Sequence, residues 1–522
     1  MKRSIGIDLG TTNSCVATID AKGKAQIISN KLGESTTPSM VSFEDASSSD
    51  KPPLIGAAAM RRAVTNPRET LYGVKRLIGR PYDDPEVQEL ALTLPYSVVS
   101  AANGDAWVEV CGERRSPQEI SGMILREMHD TAAEHFEDEV EEAIITVPAH
   151  FDNAQRKATA DAAAIAGLKV RRLLNEPTAA ALGYGAHRGS DKRLAVCDLG
   201  GGTFDVSIVN VEDGVIEVIS SQGDLLLGGD DVDRIIINKL LEEIRKEHGV
   251  DLADNAEALQ RLKGDVVKAK HALSETRSAK LELRYLADLP SGKSLDYQRK
   301  IERAELNDWI SPFLGRIEGP CREAAAMCGL APTDVDTIVL VGGMTRMPSI
   351  QNQLASVFGR PPLKVVNPDE IVSIGAATQC AILDGLIEDV VLLDVTSRAL
   401  GLLSEDGKYQ QVIPQNATIP TREHRIVATT QKNQSELYFE VFEGESPNPG
   451  HNRQLGRFLC KDLPKAPAGE VMLLIEFTID VDGILGVSAS ELGSGERPEL
   501  RMLATAGLSR LDFQRLRETH RH

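Results

Sequence analysis

Two stretches of the chain repeat one pattern: an apolar run ending in aspartate, a glycine turn, then a second apolar run. They read Ile5-Gly-Ile-Asp-Leu-Gly-Thr-Thr-Asn-Ser-Cys-Val-Ala17 and Ala195-Val-Cys-Asp-Leu-Gly-Gly-Gly-Thr-Phe-Asp-Val-Ser207. Their aspartates, Asp8 and Asp198, stand 190 positions apart. Related units at that separation predict a duplicated α/β fold with a cleft between its two lobes.

A strand that ends in Asp and enters a Gly/Thr turn does two physical jobs. Glycines let backbone N–H groups approach phosphate oxygens without a side-chain clash. The aspartate holds magnesium, usually through its water shell. One such turn commonly does no more than close a hairpin. Two of them, with a third at Val339-Leu-Val-Gly342-Gly343-Met-Thr-Arg346, predict a nucleoside triphosphate between the loops. Neither G-x-x-x-x-G-K-[ST] nor G-x-G-x-x-G follows a strand candidate, so P-loop and Rossmann sites are excluded.

Short apolar runs alternate with helical patterns to about residue 386. Strands are expected at Ile5–Asp8, Ala143–Val147, Leu194–Asp198 and Thr337–Val341, and helices at Ala154–Ala166 and Val232–His248, as an α/β architecture requires. After about residue 396 the period becomes two: Leu437, Phe439 and Val441 alternate with Tyr438, Glu440 and Phe442, and Ile475, Phe477, Ile479 and Val481 with Leu474, Glu476, Thr478 and Asp480. Asp482-Gly483 offers a tight hairpin turn. A separate antiparallel β domain is expected there. At the junction, Val390-Val-Leu-Leu-Asp-Val-Thr396 reads either as a buried strand or as an apolar linker that docks and releases.

The 522 residues carry a net charge of -19, which argues against nucleic acid as a partner. No apolar run approaches the ~20 residues of a membrane helix, and charge follows too soon after Met1 for a signal peptide. Seven scattered cysteines without a C-x-x-C pair fit a reducing cytoplasm and no structural zinc.

The chain resembles the seventy-kilodalton heat-shock (DnaK-type) chaperones of the actin/hexokinase-like ATPase superfamily, over nearly its whole length. The strings that carry this are Gly6–Ser14, Tyr72-Gly-Val-Lys-Arg-Leu-Ile-Gly79, Val147-Pro-Ala-His-Phe-Asp-Asn-Ala-Gln-Arg156, Leu174-Asn-Glu-Pro-Thr-Ala-Ala-Ala181, Asp198–Asp205 and Leu340–Arg346. The resemblance implies a two-lobed, four-subdomain ATPase domain over 1–389, a hydrophobic linker at 390–396, a β-sandwich peptide-binding domain over 397–504 and the start of a lid helix at 505–522.

It also implies roles. Gly10, Thr11, Thr12 and Asn13 would cradle the β- and γ-phosphates, with Gly200, Gly201, Gly202 and Thr203 opposite. Asp8 and Asp198 would face hydrated magnesium, Asp205 would orient the attacking water, Lys75 would neutralise charge at the γ-phosphate, and Glu176 would sense metal and phosphate. Such positioning and charge compensation is what phosphoryl transfer needs. ATP or ADP, Mg2+ and K+ are the implied cofactors. Adenosine would lie between Gly228, Gly229, Asp230, Lys270, Ser274, Gly342, Gly343 and Arg346, near Asp369. Asp230-Asp231-Val232 and Val267 depart from the family pattern there, and His271 stands beside the base.

Pro148 and Arg156 match the family's relay, and Arg172, Asn175 and Thr178 its J-domain surface. Val390, Leu392, Leu393 and Asp394 match the linker whose docking couples ATP to the β domain. In that domain Leu402, Leu403, Leu437 and Phe439 fall around the peptide pocket, with Glu405 and Thr430 arching over it. A glutamate in the arch predicts a preference for basic flanks in the bound segment. Implied partners are extended, unfolded client peptides, a J-domain co-chaperone and a nucleotide exchange factor. Ser509-Arg-Leu-Asp512 reads as a capping box for a helix that stops at His522, where the family continues into a lid. The alternatives are a lidless chaperone regulator and a superfamily sugar kinase, the latter lacking linker and β domain.

Overall fold

Valine and isoleucine, which pack well on a pleated surface, fill the central strands of both lobes. The computed structural model describes residues 4–519 apart from 21–22, 45–51, 186–191, 225, 254, 290–292, 364–366, 389, 493–499, 505–506 and 509. Ser509 of the expected capping box therefore lies outside the described residues.

In the first lobe β1 (Ser4–Asp8) runs antiparallel to β2 (Asn13–Ile19) and parallel to β3 (Glu142–Val147). Helix α1 (Asn153–Ile165), strand β4 (Lys169–Asn175) and helix α2 (Glu176–Tyr184) follow, with β4 parallel to β3. In the second lobe β5 (Lys192–Leu199) runs antiparallel to β6 (Phe204–Glu212), and β6 antiparallel to β7 (Val215–Asp224). Helices α3 (Gly229–His248) and α4 (Ala256–Glu275) come next, and β8 (Thr337–Val341) lies parallel to β5. The two lobes therefore share one pairing pattern, a parallel neighbour followed by an antiparallel meander. Even the register repeats: Asp8 pairs with Cys15, and Asp198 with Asp205. These mixed α/β sheets agree with actin-like ATPase lobes.

Close backbone contacts join the lobes. Helix α5 (Ile371–Leu383) crosses both β1 and α2. A Cβ on Gly6 of β1 would fall 2.2 Å from the Ala377 nitrogen, and one on Gly375 would fall 1.7 Å from the Ala179 carbonyl. Glycine is needed at both positions because only a bare backbone lets the elements approach so near.

The junction segment forms strand β9 (Val391–Val395), parallel to β7 and antiparallel to Thr418–Ile419. Of the two readings, the strand is the one observed: the segment extends the sheet of the second lobe. Beyond it are two antiparallel sheets. One contains Leu400–Ser404, Tyr409–Ile413, Leu437–Glu443, Arg453–Cys460 and Leu500–Ala504; the other contains Thr421–Ala428, Met472–Ile479 and Leu485–Glu491. Their inward faces share a core in which Phe439 stacks on Phe458 at 5.2 Å and Ile475 and Phe477 pack from the second sheet. Asp482-Gly483 sits in a loop between the paired residues Ile479 and Leu485, wider than the tight turn expected. The reason is local: Asp480 Oδ1 accepts from both Asp482 N and Ile484 N at 2.9 Å, so its side chain organises the loop.

This β unit is seated on the first lobe. Leu485 N donates to Asn153 Oδ1 at 2.8 Å, Leu173 N donates to Asp482 Oδ1 at 2.9 Å, and Arg453 donates to the Gly79 carbonyl at 2.7 Å and to the Asp152 carboxylate. Glu443 is buried in the same interface, beside Asn153, Arg156 and Arg398. Burial pushes its carboxyl up from an ordinary 4.5 to about 7, against the pull of Arg398. A carboxyl raised in the docked form favours docking fully below its ordinary value, and that contribution is lost as pH climbs through about 7. Hydrogen-exchange protection of the Val391 amide, bonded to Gly214 O at 3.1 Å, should therefore fall about tenfold between roughly pH 6 and 8. Glu443→Gln should flatten that profile. Equal slopes in the two proteins would contradict the assignment.

Candidate active site

Strands β1 and β5 deliver Asp8 and Asp198 to the floor of the cleft at their C-terminal ends. Lys75 arrives on a short 3-10 turn, Val74–Arg76, that Gly73 starts with a left-handed φ of 67°. Its ammonium donates to Glu176 Oε1 at 2.7 Å; Glu176 is buried and Lys75 nearly so. Glu176 is placed by α2, of which it is the first residue. The predicted catalytic cluster is thus assembled from both lobes.

The electrostatics of this cluster are unbalanced. Burial, then repulsion from Glu176, raises the Asp8 carboxyl to about 7, although Lys75 and the Thr146 hydroxyl, 3.3 Å from Oδ1, pull it down. Burial, then Glu176, Asp205 and Asp8, hold Asp198 well above the carboxylate range. Burial alone would lower the Lys75 amine, but Glu176, Asp8 and Asp198 outweigh it and raise it. Among the described residues, Lys75 pairs with Glu176 and is also drawn by Asp8 and Asp198, with Asp205 beside Asp198. Isolated buried charges of one sign are costly, so the site suits a further positive charge. Among the described residues no group of three or more His, Cys, Asp or Glu side chains converges to ligate a metal directly.

The glycine loops meet over this floor. A Cβ on Gly201 would fall 1.9 Å from Thr12 Oγ1, and one on Gly202 would lie 3.2 Å from the Thr11 methyl. Ser39 fastens the first loop, its hydroxyl donating to Gly10 O and its N–H to Thr12 O, each at 2.8 Å. The second loop is tied to the start of α3, where Gly229 N donates to Gly200 O at 3.0 Å and Asp230 N to Gly201 O at 2.8 Å. Asn13 and Gly10 close the first turn, since a Cβ on Gly10 would strike the Asn13 carbonyl at 2.0 Å. Beside the loops, Thr11, Lys75, Pro148 and Thr203 help line a cavity of about 20 Å³, room for one water molecule.

The adenosine candidates gather farther along the cleft. Lys270 donates to Asp233 Oδ2 at 2.8 Å and to Gly229 O at 3.0 Å, so its amine is engaged by α3, and Ser274 donates to Lys270 O at 3.4 Å. The guanidinium of Arg346, half exposed, is held by Asp369 at 2.6 Å. Gly342 has a φ of 80° and Gly343 lies against Asp369, where a Cβ would sit 3.1 Å from Oδ1. Val267 is half buried on α4.

The predicted coupling residues meet at the docked β unit. Arg156 donates to Phe151 O at 3.0 Å, Asn175 Oδ1 at 2.7 Å and Asp482 O at 3.2 Å. Asp394 of β9 accepts from the Thr178 hydroxyl and lies 3.9 Å from Arg172. Asn175 and Thr178 are fully buried in this arrangement. Val390, Leu392 and Leu393 are half buried against the second lobe. The peptide-pocket candidates divide. Leu402, Leu437 and Phe439 belong to the core, whereas Leu403 is half exposed. Glu405 and Thr430 are bridged by Gln434, which donates to Glu405 Oε2 at 2.7 Å and accepts from Thr430 N at 2.8 Å. Neither periodicity nor spacing pointed to Gln434.

The family model described as Hsp70 protein matches residues 4–522. The chain belongs to the Hsp70 family. Hsp70 proteins are chaperones and ATPases that bind ATP or ADP with Mg2+ and engage client peptides and co-chaperones. No helix among the described residues of this Hsp70 is long and apolar enough to cross a membrane.

A Cβ on Gly228 would fall 2.4 Å from the Gly201 carbonyl. Gly228→Ala should therefore overpack the second glycine loop and cost about 1–3 kcal/mol, read as a lower urea midpoint. A midpoint equal to that of the unsubstituted chain would contradict this seating of the loop.

Proposed function

We propose that this Hsp70 is an ATP-hydrolysing chaperone that binds and releases extended apolar segments of unfolded proteins. The observation that carries the reading is the cross-lobe cluster of Lys75, Glu176, Asp8, Asp198 and Asp205 beneath two touching glycine loops. Its excess negative charge is what a nucleotide-bound cation would offset. Magnesium, held through water by Asp8 and Asp198, would supply that charge and orient the phosphates. Potassium is a second proposed ion. Lys75 would neutralise charge developing at the γ-phosphate, Asp205 would aim water at it, and Thr203 would cradle it from the second loop.

In this reading residues 1–389 form the ATPase domain, 390–396 the linker, 397–504 a β-sandwich peptide domain and 505–522 the beginning of a helical lid. Docking of β9 supports coupling, because Asp394 reaches Thr178 and Arg172 on the first lobe while its strand extends the sheet of the second. Lobe movement would change both contacts together. Leu403 and the bridge from Glu405 to Thr430 would meet the peptide backbone, which such sites hold by main-chain hydrogen bonds. A J-domain protein and an exchange factor are the proposed partners, in the cytoplasm.

ATP turnover measured with and without an unfolded peptide and a J-domain protein tests this. Turnover should rise when both are added. Lys75→Ala should lower kcat by ~10²–10³ while nucleotide affinity changes much less. Turnover indifferent to peptide, or a Lys75→Ala enzyme as fast as the unsubstituted chain, would refute the reading.

A further inference from the structure

The loop that follows β3 sends His150 across the cleft to the other lobe. His150 Nδ1 is hydrogen-bonded to Asp205 Oδ1 of β6, a contact between residues 55 positions apart. A carboxylate only accepts, so Nδ1 carries the proton and Nε2 is the bare nitrogen when the ring is neutral. Two further observations mark this contact as built. Gly223 of β7 is the register partner of Asp205, and a Cβ there would fall 2.6 Å from Asp205 Oδ1 and 3.4 Å from His150 Nδ1. Only glycine at 223 leaves room for the pair. The ring is also set edge-on to Phe151, whose own ring lies 5.7 Å from the Lys75 ammonium.

Both ends of the pair are unfinished. Asp205 Oδ2 and His150 Nε2 are buried and have no hydrogen-bond partner, and the Asp205 side chain is only 4% exposed. Buried polar atoms left unpaired are costly, so such atoms point to a missing ligand. The cavity of about 20 Å³ lined by Lys75, Pro148, Phe151 and Thr203 adjoins this loop. We infer that His150 is a positioning residue for hydrolysis: it locks Asp205 through Oδ1 so that Oδ2 faces the attacking water. The inference rests on the ATPase reading above and deepens it. Because His150 belongs to one lobe and Asp205 to the other, the carboxylate is held in this rotamer only when the lobes are closed. Asp205 is thus left unheld whenever the cleft opens.

Single-turnover hydrolysis of ATP by the full chain tests the role, with nucleotide affinity and thermal unfolding measured beside it. His150→Leu should slow the hydrolytic step by ~10–100-fold, the range for removing a partner that orients an active-site ligand. ATP affinity should change less than about threefold, because the lost contact serves the reacting step and not ground-state binding. His150→Asn, which keeps an N–H donor near the Nδ1 position, should recover most of the rate. Adding His150→Leu to Asp205→Asn should cost nothing further, since the two act as one unit. A His150→Leu protein that hydrolyses at the unsubstituted rate, or costs that simply add, would overturn the role. Imidazole nitrogen NMR gives a readout free of turnover: Nδ1 should be protonated and should shift in Asp205→Asn. An Nε2-protonated ring would overturn the pairing itself. A chain with the expected ring state but no ATP hydrolysis would instead overturn the functional reading, and this role with it.

Discussion

The structure depends on a charge problem placed at its centre. Asp8, Asp198, Asp205 and Glu176 are brought into one shielded cleft, where Lys75 pairs with Glu176 and is drawn by Asp8 and Asp198. In a medium of low polarity such an arrangement costs several kcal/mol for each uncompensated charge. The fold sustains it because the strands that carry the aspartates are pinned by fully buried neighbours, Ile5 and Ile7 on β1 and Cys197 and Leu199 on β5. The cleft is a preorganised cage for positive charge, stabilised by packing elsewhere.

Duplication explains how the cage is made symmetrically and used asymmetrically. Each lobe offers an aspartate at a strand end and a glycine turn beyond it, in one register. The residue facing the aspartate differs: Cys15 in the first lobe, Asp205 in the second. One lobe therefore supplies a neutral buried thiol, tied to Ser373 at 3.1 Å, and the other supplies a carboxylate. That single divergence puts the carboxylate proposed to face water on one side of the cleft. Backbone-to-backbone contacts join the elements at Gly183 and Gly375, where α2 and α5 cross, and at Gly6, where β1 meets α5. At the seat of the β unit, Arg156 donates to the Asp482 carbonyl and Asp394 of β9 accepts from the Thr178 hydroxyl.

Much of the fold was legible because it is periodic or repeated. The aspartate turns, the α/β alternation and the period of two after residue 396 each follow from a local physical rule. Helix α3 starts at Gly229 rather than Val232, because Asp231 accepts from Gly228 N at 2.9 Å and caps the first turn. What sequence could not reveal are contacts between distant residues that leave no periodic trace. His150 with Asp205, Arg453 with Asp152, and Gln434 between Glu405 and Thr430 are of this kind. The apolar peptide-pocket candidates show a second limit. Leu402, Leu437 and Phe439 carry the same apolar signal whether they line a groove or fill a core, and here they fill the core.

We propose that the carboxylate cluster is completed by a nucleotide and its cation. Microcalorimetric titration of the chain with ATP, in the presence and absence of magnesium, tests it most directly. Binding should be saturable, one-to-one and markedly tighter with the ion present. Absence of adenine-nucleotide binding with magnesium in the cell would contradict it.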